Sequence, residues 1–140
     1  MNQKIQRSML ILPVNVPKFV EKAHTRGADA ITLDLEDAVP PAEKENARNL
    51  VRDSIYLAGR GGADVIVRVN NDDENLSKDL KSCLFDGLSA VFFPKTEHPD
   101  QIRKLESMIN LLEKDRGIEP GSIKIAIHIE SPMGILNLKE

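Results

Sequence analysis

The most constraining feature of this chain is the alternation of short apolar runs with longer amphipathic segments along its whole length. Five runs rich in Val, Ile, Leu and Phe have the length and composition of strands covered on both faces. They predict strands at 8–13, 30–36, 64–70, 88–95 and 123–130. Strands that alternate with helical segments form a parallel sheet with right-handed crossovers, so the pattern predicts an α/β fold.

The segments between the predicted strands carry start and stop signals of helices. Pro17 suits the first turn of a helix, and Gly27 suits its end. Further helices are predicted at 42–59 and 98–117, where apolar residues recur on one face, and a shorter one near 74–87. Cys83 is interpreted as a small hydrophobic residue of that shorter helix, while the charged runs "PAEKENAR" and "EKDRG" are interpreted as solvated helix faces.

Two architectures fit this order of elements: an open doubly wound sheet and a (β/α) barrel. The turn after the first strand, "PVNVPK", has no glycine pattern of the dinucleotide or P-loop kind, which favours the barrel. A full barrel takes about 250 residues. We therefore expect residues 1–140 to form one N-terminal portion of an incomplete (β/α)₈ TIM barrel, with about five strands and without strands six to eight.

Composition excludes several classes of function. The net charge of −3 argues against nucleic acid or an anionic membrane as a partner, and one Tyr with no Trp argues against a base-stacking surface. A single cysteine rules out an internal disulfide and agrees with a reducing compartment. The apolar run before Pro13 is too short for a signal peptide or a membrane span, so a cytoplasmic location is expected.

Alternation within the strands predicts one aliphatic face and one face that becomes polar toward the carboxyl end. In the second strand, Ile31, Leu33 and Leu35 share the first face, which is expected to lie under the helices. The polar face of the second, third and fifth strands is formed by Thr32, Asp34, Glu36, Ile66, Arg68, Asn70, Ala126, His128 and Glu130. Ligand sites of parallel barrels lie at the carboxyl ends of the strands, so this face predicts an active-site mouth.

The predicted cluster suits a hard divalent cation together with an anionic substrate. Carboxylate oxygens bind such cations, and Arg68 can clamp a substrate carboxylate through two parallel hydrogen bonds. Arg68 and Asp34 could instead be a structural ion pair, with Glu130 in the same network. His128 is interpreted as a hydrogen-bonded interior residue rather than a metal ligand, since no second His or Cys lies at ligand spacing.

Five segments resemble one known family in both order and spacing. "RSMLILPVNVPKF", "GADAITLDLEDAVPPAEKENAR", "VIVRVN", "AVFFPKTEHP" and "IHIESPMGILN" are similar to the citrate lyase β-subunit-like proteins. These belong to the HpcH/HpaI aldolase group of the phosphoenolpyruvate/pyruvate-binding TIM-barrel superfamily. The resemblance implies a Mg²⁺-dependent carbon–carbon lyase that cleaves a 3-hydroxyacyl thioester, such as citryl-, malyl- or citramalyl-CoA, into an acyl thioester and a keto acid.

The resemblance also implies roles for individual residues. Glu130 of "IES" resembles a metal ligand, and Arg68 of "VRVN" resembles the arginine that grips the carboxylate of the keto acid. Glu36 and Asp37 of "LEDAV" match acidic positions beside the metal and its waters, and are expected to be catalytic. Asp37, acting through a water molecule, is the candidate base.

Two further positions are expected to bind substrate. Asn15 resembles the segment near the thioester or nucleotide part of the ligand. Lys95 is expected to bind anionic groups, while a Schiff-base role is the less favoured interpretation because a metal site makes it redundant.

Family barrels carry a second metal carboxylate, an aspartate, at the end of strand six. No residue of this sequence can be assigned that role, so the chain is expected to be inactive as a fragment, and a homo-oligomer is expected. Two other functions stay open: a metal-dependent aldolase acting on free hydroxy-keto acids, and a non-catalytic fragment or assembly partner of a longer enzyme.

Overall fold

The protein folds around a five-stranded parallel sheet whose strands lie side by side in chain order. The structure is a computed structural model and describes residues 5–139. The strands are β1 Met9–Pro13, β2 Ala30–Asp34, β3 Asp64–Arg68, β4 Ala90–Phe93 and β5 Lys124–Ile127. This confirms the α/β class and the five strands of an incomplete barrel, although each strand is shorter than its apolar run in the sequence.

Four helices connect consecutive strands and cover one face of the sheet, and a fifth, short helix follows β5. They are α1 Pro17–Ala23, α2 Lys44–Gly59, α3 Asp73–Cys83, α4 Pro99–Asp115 and α5 Pro132–Leu136, with a 3₁₀ turn at Pro41–Glu43. The shorter helix predicted near 74–87 is confirmed as α3. It begins where the Asp72 side chain accepts a hydrogen bond from the amide of Asn75. No described helix is long and apolar enough to cross a membrane.

The short helix α5 was not expected from the sequence. It begins at Ser131, whose hydroxyl accepts a hydrogen bond from the amide of Gly134. Gly134 lies so close to the loop after β4 that a Cβ there would approach the carbonyl oxygen of Thr96 to 2.5 Å. Only glycine allows this approach, so the backbone of α5 rests directly on that loop.

The main core lies between the sheet and the helices. The predicted aliphatic face of β2 is confirmed, because Ile31 and Leu33 are buried in this core together with Val65 and Val67 of β3. Helix side chains such as Val51 of α2 pack against them. Alternation therefore assigned the helix-facing side of the central strands correctly.

The opposite face of the sheet carries a much smaller apolar cluster of Ala30, Ile66 and Ala90 with Phe92 packed against it. The strand register places one row of residues across this face: Pro13, Asp34, Arg68, Phe92 and Ala126. Asp34 and Arg68 are thus direct cross-strand neighbours at the carboxyl edge of the sheet. Toward β1 this face is open to solvent, with Met9 and Ile11 each 47% exposed.

The two charged runs are not purely solvated, as the sequence suggested. Arg48, in the first run, is buried, and Glu113, in the second, is fully buried. The carboxylate of Glu113 accepts hydrogen bonds from the amides of Gly121 and Ile123, which belong to the connection between α4 and β5. Buried backbone amides need acceptors, and Glu113 supplies them. The interpretation of Cys83 is confirmed, since it is the fully buried last residue of α3.

Candidate active site

A bidentate ion pair between Arg68 and Asp34 lies at the centre of the carboxyl edge. Arg68 Nε donates to Asp34 Oδ1 at 2.8 Å, and Nη2 donates to Oδ2 at 2.6 Å. Asp34 is fully buried, whereas the Arg68 side chain is 16% exposed. Within residues 5–139, Arg68 Nη1 has no hydrogen-bond acceptor, so one edge of the guanidinium is left for a ligand.

The Asp34 carboxylate also forms the turn that follows β2. Its Oδ1 accepts from the amide of Glu36 and its Oδ2 from the amide of Ala38, both at 2.9 Å. Burial alone would raise the pKa of Asp34, but the hydrogen bonds from Arg68, Glu36 and Ala38 outweigh it and hold the pKa below its usual range. These bonds also explain why β2 ends at Asp34 instead of continuing to Glu36.

Glu36 and Asp37 lie on this turn with different exposure. Glu36 is buried, and its Oε1 accepts a hydrogen bond of 2.7 Å from Lys95 Nζ. Its Oε2 lies 3.4 Å from Arg68 Nε and accepts no hydrogen bond from a described residue. Asp37 is exposed and lies 3.2 Å from Lys95 Nζ. The turn thus presents one sheltered and one solvent-accessible carboxylate to the same ammonium group.

Lys95 connects the ends of three strands. Its ammonium group contacts Glu36 and Asp37 after β2, and its backbone amide donates to Glu130 Oε1 after β5 at 2.9 Å. It is the non-glycine residue with a left-handed backbone among those described, with φ of 50°. Such strain is concentrated at functional sites. Hydrogen bonding to Glu36 and Asp37 raises the pKa of Lys95, which keeps the amine protonated and disfavours the Schiff-base role.

Glu130 and His128 form a pair at the end of β5. His128 Nδ1 lies 3.2 Å from Glu130 Oε2, and the His128 ring lies 5.4 Å from that of Phe92. The His128 side chain is 53% exposed, so the interpretation as an interior residue is wrong. The reason is that the inner face is only lightly covered near β5. Glu130 joins the same group of residues through Lys95, as the sequence predicted.

Asn15 follows β1 at the same edge of the sheet, as predicted. Its Oδ1 is buried and has no hydrogen-bond partner among the described residues. No hydrogen bond connects it to Arg68, Glu36 or Lys95 within residues 5–139. Among the described residues Asn15 therefore has no hydrogen bond to the cluster, and its Oδ1 is an unpaired acceptor.

Two residues support the site from behind: Lys44, which sequence reasoning missed, and Asn70, which it placed on the wrong face. Lys44 Nζ donates to the carbonyl oxygens of Leu35 and Glu36 and to Asn70 Oδ1. Asn70, expected beside Arg68 on the inner face, instead donates its side-chain amide to Asp79 of α3, because β3 ends before it and alternation no longer applies. Helical spacing was the available signal, since Lys44 falls on the same stripe of α2 as the buried Ala47, Arg48 and Val51.

The described residues fit a divalent cation in chemistry but do not enclose one. Carboxylate oxygens are the ligands that Mg²⁺ prefers, and the unused Oε2 of Glu36 and the carboxylate of Glu130 are of this kind. Within residues 5–139, however, no three His, Cys, Asp or Glu side chains are grouped closely enough to hold a metal ion. The ammonium of Lys95 lies among the carboxylates of the turn instead.

Sequence comparisons relate the chain to lyases. Residues 7–140 match the family HpcH/HpaI aldolase/citrate lyase. Citrate lyase subunit beta of Leuconostoc mesenteroides subsp. cremoris is 36% identical over 140 residues, which are 99% of this chain and 46% of that protein. L-malyl-CoA/beta-methylmalyl-CoA lyase of Rhodobacter capsulatus is 28% identical, over 98% of this chain and 44% of that protein. The chain thus spans less than half the length of these relatives.

Solved structures show the same fold. The citrate lyase beta subunit from M. tuberculosis, complexed with oxaloacetate and magnesium, superimposes with a TM-score of 0.66 at 26% identity, over 91% of this chain and 49% of that one. Malate synthase of Haloferax volcanii, as a lead(II) complex, superimposes with a TM-score of 0.86 at 18% identity, over 99% of this chain and 45% of that one. The second similarity concerns the fold alone.

Proposed function

Because the chain belongs to the HpcH/HpaI aldolase/citrate lyase family, we propose that it provides the keto-acid-binding part of a Mg²⁺-dependent carbon–carbon lyase acting on a 3-hydroxyacyl-CoA thioester. The substrate is of the citryl-, malyl- or citramalyl-CoA type, and the products are an acyl thioester and a keto acid. Relatives of the chain are named citrate lyase subunit beta, L-malyl-CoA/beta-methylmalyl-CoA lyase and citramalyl-CoA lyase. A homo-oligomer and a cytoplasmic location remain predictions.

One observation carries this proposal: Arg68 is held rigidly but not fully used. Asp34 fixes Nε and Nη2, while Nη1 has no acceptor among the described residues. A guanidinium held in this way can donate to a substrate carboxylate without first losing conformational entropy. A purely structural pair has no need of an unpaired donor at a partly exposed edge of the sheet.

The reaction breaks the bond between the hydroxyl-bearing carbon and the carbon next to the thioester. The hydroxyl proton passes to a base, the C–O bond becomes the carbonyl of the keto acid, and the electron pair of the broken bond leaves as the thioester enolate. Protonation of that enolate then gives the acyl thioester. Mg²⁺, when bound, supplies Lewis-acid stabilisation of the developing negative charge, with Glu130 as the ligand that this chain would contribute.

Each residue at the carboxyl edge has a place in this scheme. Arg68 orients the carboxylate next to the reacting carbon. Asp37, the exposed carboxylate of the turn, takes the hydroxyl proton through a water molecule. Lys95 supplies positive charge to the anionic parts of the ligand, and Asn15 contributes its unpaired Oδ1 to a donor group of the thioester part.

Binding of oxaloacetate tests the proposal. We expect the chain to bind oxaloacetate in the presence of Mg²⁺, and we expect Arg68→Met to abolish this binding. Arg103→Met, at an exposed arginine of α4 paired with Asp100, is the matched control and should bind like the parent chain. Equal binding by both variants, or none by the parent chain under calorimetry, would contradict the proposal.

Turnover measurements separate the classes of substrate. Malyl-, citryl- and citramalyl-CoA are compared with the corresponding free hydroxy acids and with free hydroxy-keto acids, each with and without Mg²⁺. Cleavage of the thioesters alone supports the lyase, and cleavage of free hydroxy-keto acids alone supports an aldolase. Because the relatives are about twice as long, the measurement includes the chain supplemented with the corresponding C-terminal half of a relative.

A further inference from the structure

Lys44, the first residue of α2, places its ammonium group behind the turn that carries Glu36 and Asp37. Its Nζ donates to the carbonyl oxygen of Leu35 at 2.7 Å, to that of Glu36 at 2.6 Å and to Asn70 Oδ1 at 2.8 Å. An ammonium group has three N–H donors, and all three are used. Lys44 is only partly exposed and has no carboxylate within salt-bridge distance among the described residues.

The same turn is held from its other side by Asp34. The Asp34 carboxylate accepts hydrogen bonds from the amides of Glu36 and Ala38, while Lys44 donates to the carbonyl oxygens of Leu35 and Glu36. The peptide groups on both sides of Glu36 are therefore bound to charged side chains. This arrangement fixes the direction in which the Glu36 side chain leaves the backbone, toward Lys95.

Lys44 is itself anchored in a rigid polar cluster. Asn70 donates to the carbonyl oxygen of Leu35 at 2.9 Å, and its backbone and side-chain amides both donate to Asp79 Oδ2. Asp79 is fully buried and also accepts from Arg48. Burial lowers the pKa of Lys44, an effect that the negative charges of Asp79, Asp34 and Glu36 oppose.

We propose that Lys44 is a positioning residue of the site, which holds the turn so that Glu36 and Asp37 face Lys95 and a bound keto acid. It touches neither Lys95 nor the mouth of the site, and it acts through the carbonyl oxygens of Leu35 and Glu36. The ligand readout below rests on the proposed function, whereas the spectroscopic readout does not. The competing explanation is that Lys44 serves only to anchor the start of α2.

The variants exploit the burial of the single native cysteine. Lys44→Met keeps the length of the side chain but removes all three donors. Lys44→Cys treated with 2-bromoethylamine restores an ammonium at nearly the same distance, because the thiolate displaces bromide and forms a thioether. Cys83 is fully buried and its thiol pKa is raised by desolvation, so it does not react in the folded chain. Lys78→Met, at an exposed lysine of α3, is the matched control.

Two measurements are made on the full chain: the nitrogen-15 NMR signal of the Lys95 ammonium, and the affinity for pyruvate in the presence of Mg²⁺. In Lys44→Met we expect the Lys95 signal to shift and exchange faster with water, and the pyruvate affinity to fall about tenfold, the usual size of such supporting effects. Aminoethylation of Lys44→Cys should return the Lys95 signal to its position in the parent chain and the pyruvate affinity to within about twofold of the parent value. Lys78→Met should change neither.

The outcomes decide between the explanations. An unchanged Lys95 signal in folded Lys44→Met overturns the proposal, as does a failure of aminoethylation to restore that signal. If Lys44→Met does not fold, Lys44→Cys treated with 2-bromoethylamine is compared with Lys44→Cys alkylated by iodoacetamide, which adds no ammonium group. Loss of folding in both alkylated chains also overturns the proposal. If the parent chain binds neither pyruvate nor oxaloacetate, the proposed function fails, and the Lys95 signal alone decides the role of Lys44.

Discussion

Two buried arginine–aspartate pairs lie on opposite faces of the sheet, and they differ in how completely the arginine is used. Arg48 and Asp79 join α2 to α3 behind the sheet, with Nε 2.8 Å from Oδ1. The remaining Arg48 nitrogens donate to Glu45 and Asn75. Arg68 makes an equally close contact with the equally buried Asp34, yet its Nη1 has no acceptor among the described residues.

This difference separates a structural pair from a binding group better than burial does. Buried ion pairs are common without a catalytic role, and both aspartates here also accept hydrogen bonds from backbone amides. What distinguishes Arg68 is an unused donor at an edge of the sheet that ligands can reach. The comparison therefore predicts that the pair behind the sheet governs stability, whereas the pair at the edge governs ligand binding as well.

The largest expected effect is a loss of folding stability when the Arg48–Asp79 pair behind the sheet is broken. Asp79→Ala leaves the Arg48 guanidinium and the amides of Asn70 buried without their acceptor. We expect the free energy of unfolding to fall by about 3–5 kcal/mol, measured by urea denaturation followed by circular dichroism. A loss below about 1 kcal/mol would mean that the Arg48–Asp79 pair does not govern the stability of the fold.

A smaller effect is expected on ligand affinity at the edge. Arg68→Lys retains the positive charge but loses the planar fork that serves Asp34 and a substrate carboxylate together. We expect the affinity for oxaloacetate to fall by about 10- to 100-fold, measured by calorimetry with Mg²⁺ present. Arg48→Lys is the matched change behind the sheet and, where the chain remains folded, should leave the affinity for oxaloacetate within about twofold of the parent value. Equal losses of affinity in both variants would contradict the distinction between a structural pair and a binding pair.

The acid dependence of stability provides a third test, because the pKa of Asp34 is lowered in the folded state. A lowered folded-state pKa stabilises the protein above the unfolded pKa of about 4, and this contribution is lost as pH falls through the folded value. Wild type should therefore exceed Asp34→Asn in unfolding free energy at pH 6, by roughly 1 kcal/mol or more, and this excess should shrink toward pH 3. Urea denaturation across this range measures it; a constant difference would contradict the assignment.

The smallest effect is expected at an exposed pair on α3. Lys78 contacts Glu74 at 2.9 Å, one helical turn away, and both side chains are at least half exposed. Lys78→Met should change the free energy of unfolding by less than about 0.5 kcal/mol. A larger change by urea denaturation would show that short contact distance, rather than burial, sets the strength of charge pairs in this protein.

The sheet and its two faces could be predicted from the sequence because alternation is a local signal. Ile31, Leu33 and Leu35 were assigned to the helix side, and Asp34 and Arg68 to the other side, from positions within single strands. The meeting of Arg68 with Asp34 then follows from the parallel order of neighbouring strands. The resemblance added the catalytic roles of Glu36 and Asp37, and the structure shows both carboxylates in contact with Lys95.

Features that depend on distant partners could not be predicted in this way. Lys44 and Arg48 belong to a charged run whose residue types are usually solvated, and their acceptors lie as far away in the chain as Asn70 and Asp79. Helical spacing placed both residues on the buried stripe of α2, but their charged side chains favoured the prediction of a solvated helix face. Helix α5, with five residues, is too short to give a periodic signal.

The left-handed backbone of Lys95 has a consequence for engineering this protein. Glycine adopts that conformation without the penalty of about 1–2 kcal/mol that a side chain incurs, so a design based on backbone conformation alone would select Lys95→Gly. The exchange would also remove the ammonium that joins Glu36 to Asp37. Sequence optimisation directed only at backbone conformation would thus erase the charge at the mouth of the barrel and leave the buried Glu36 carboxylate without its donor, so position 95 should be kept constant in any such library.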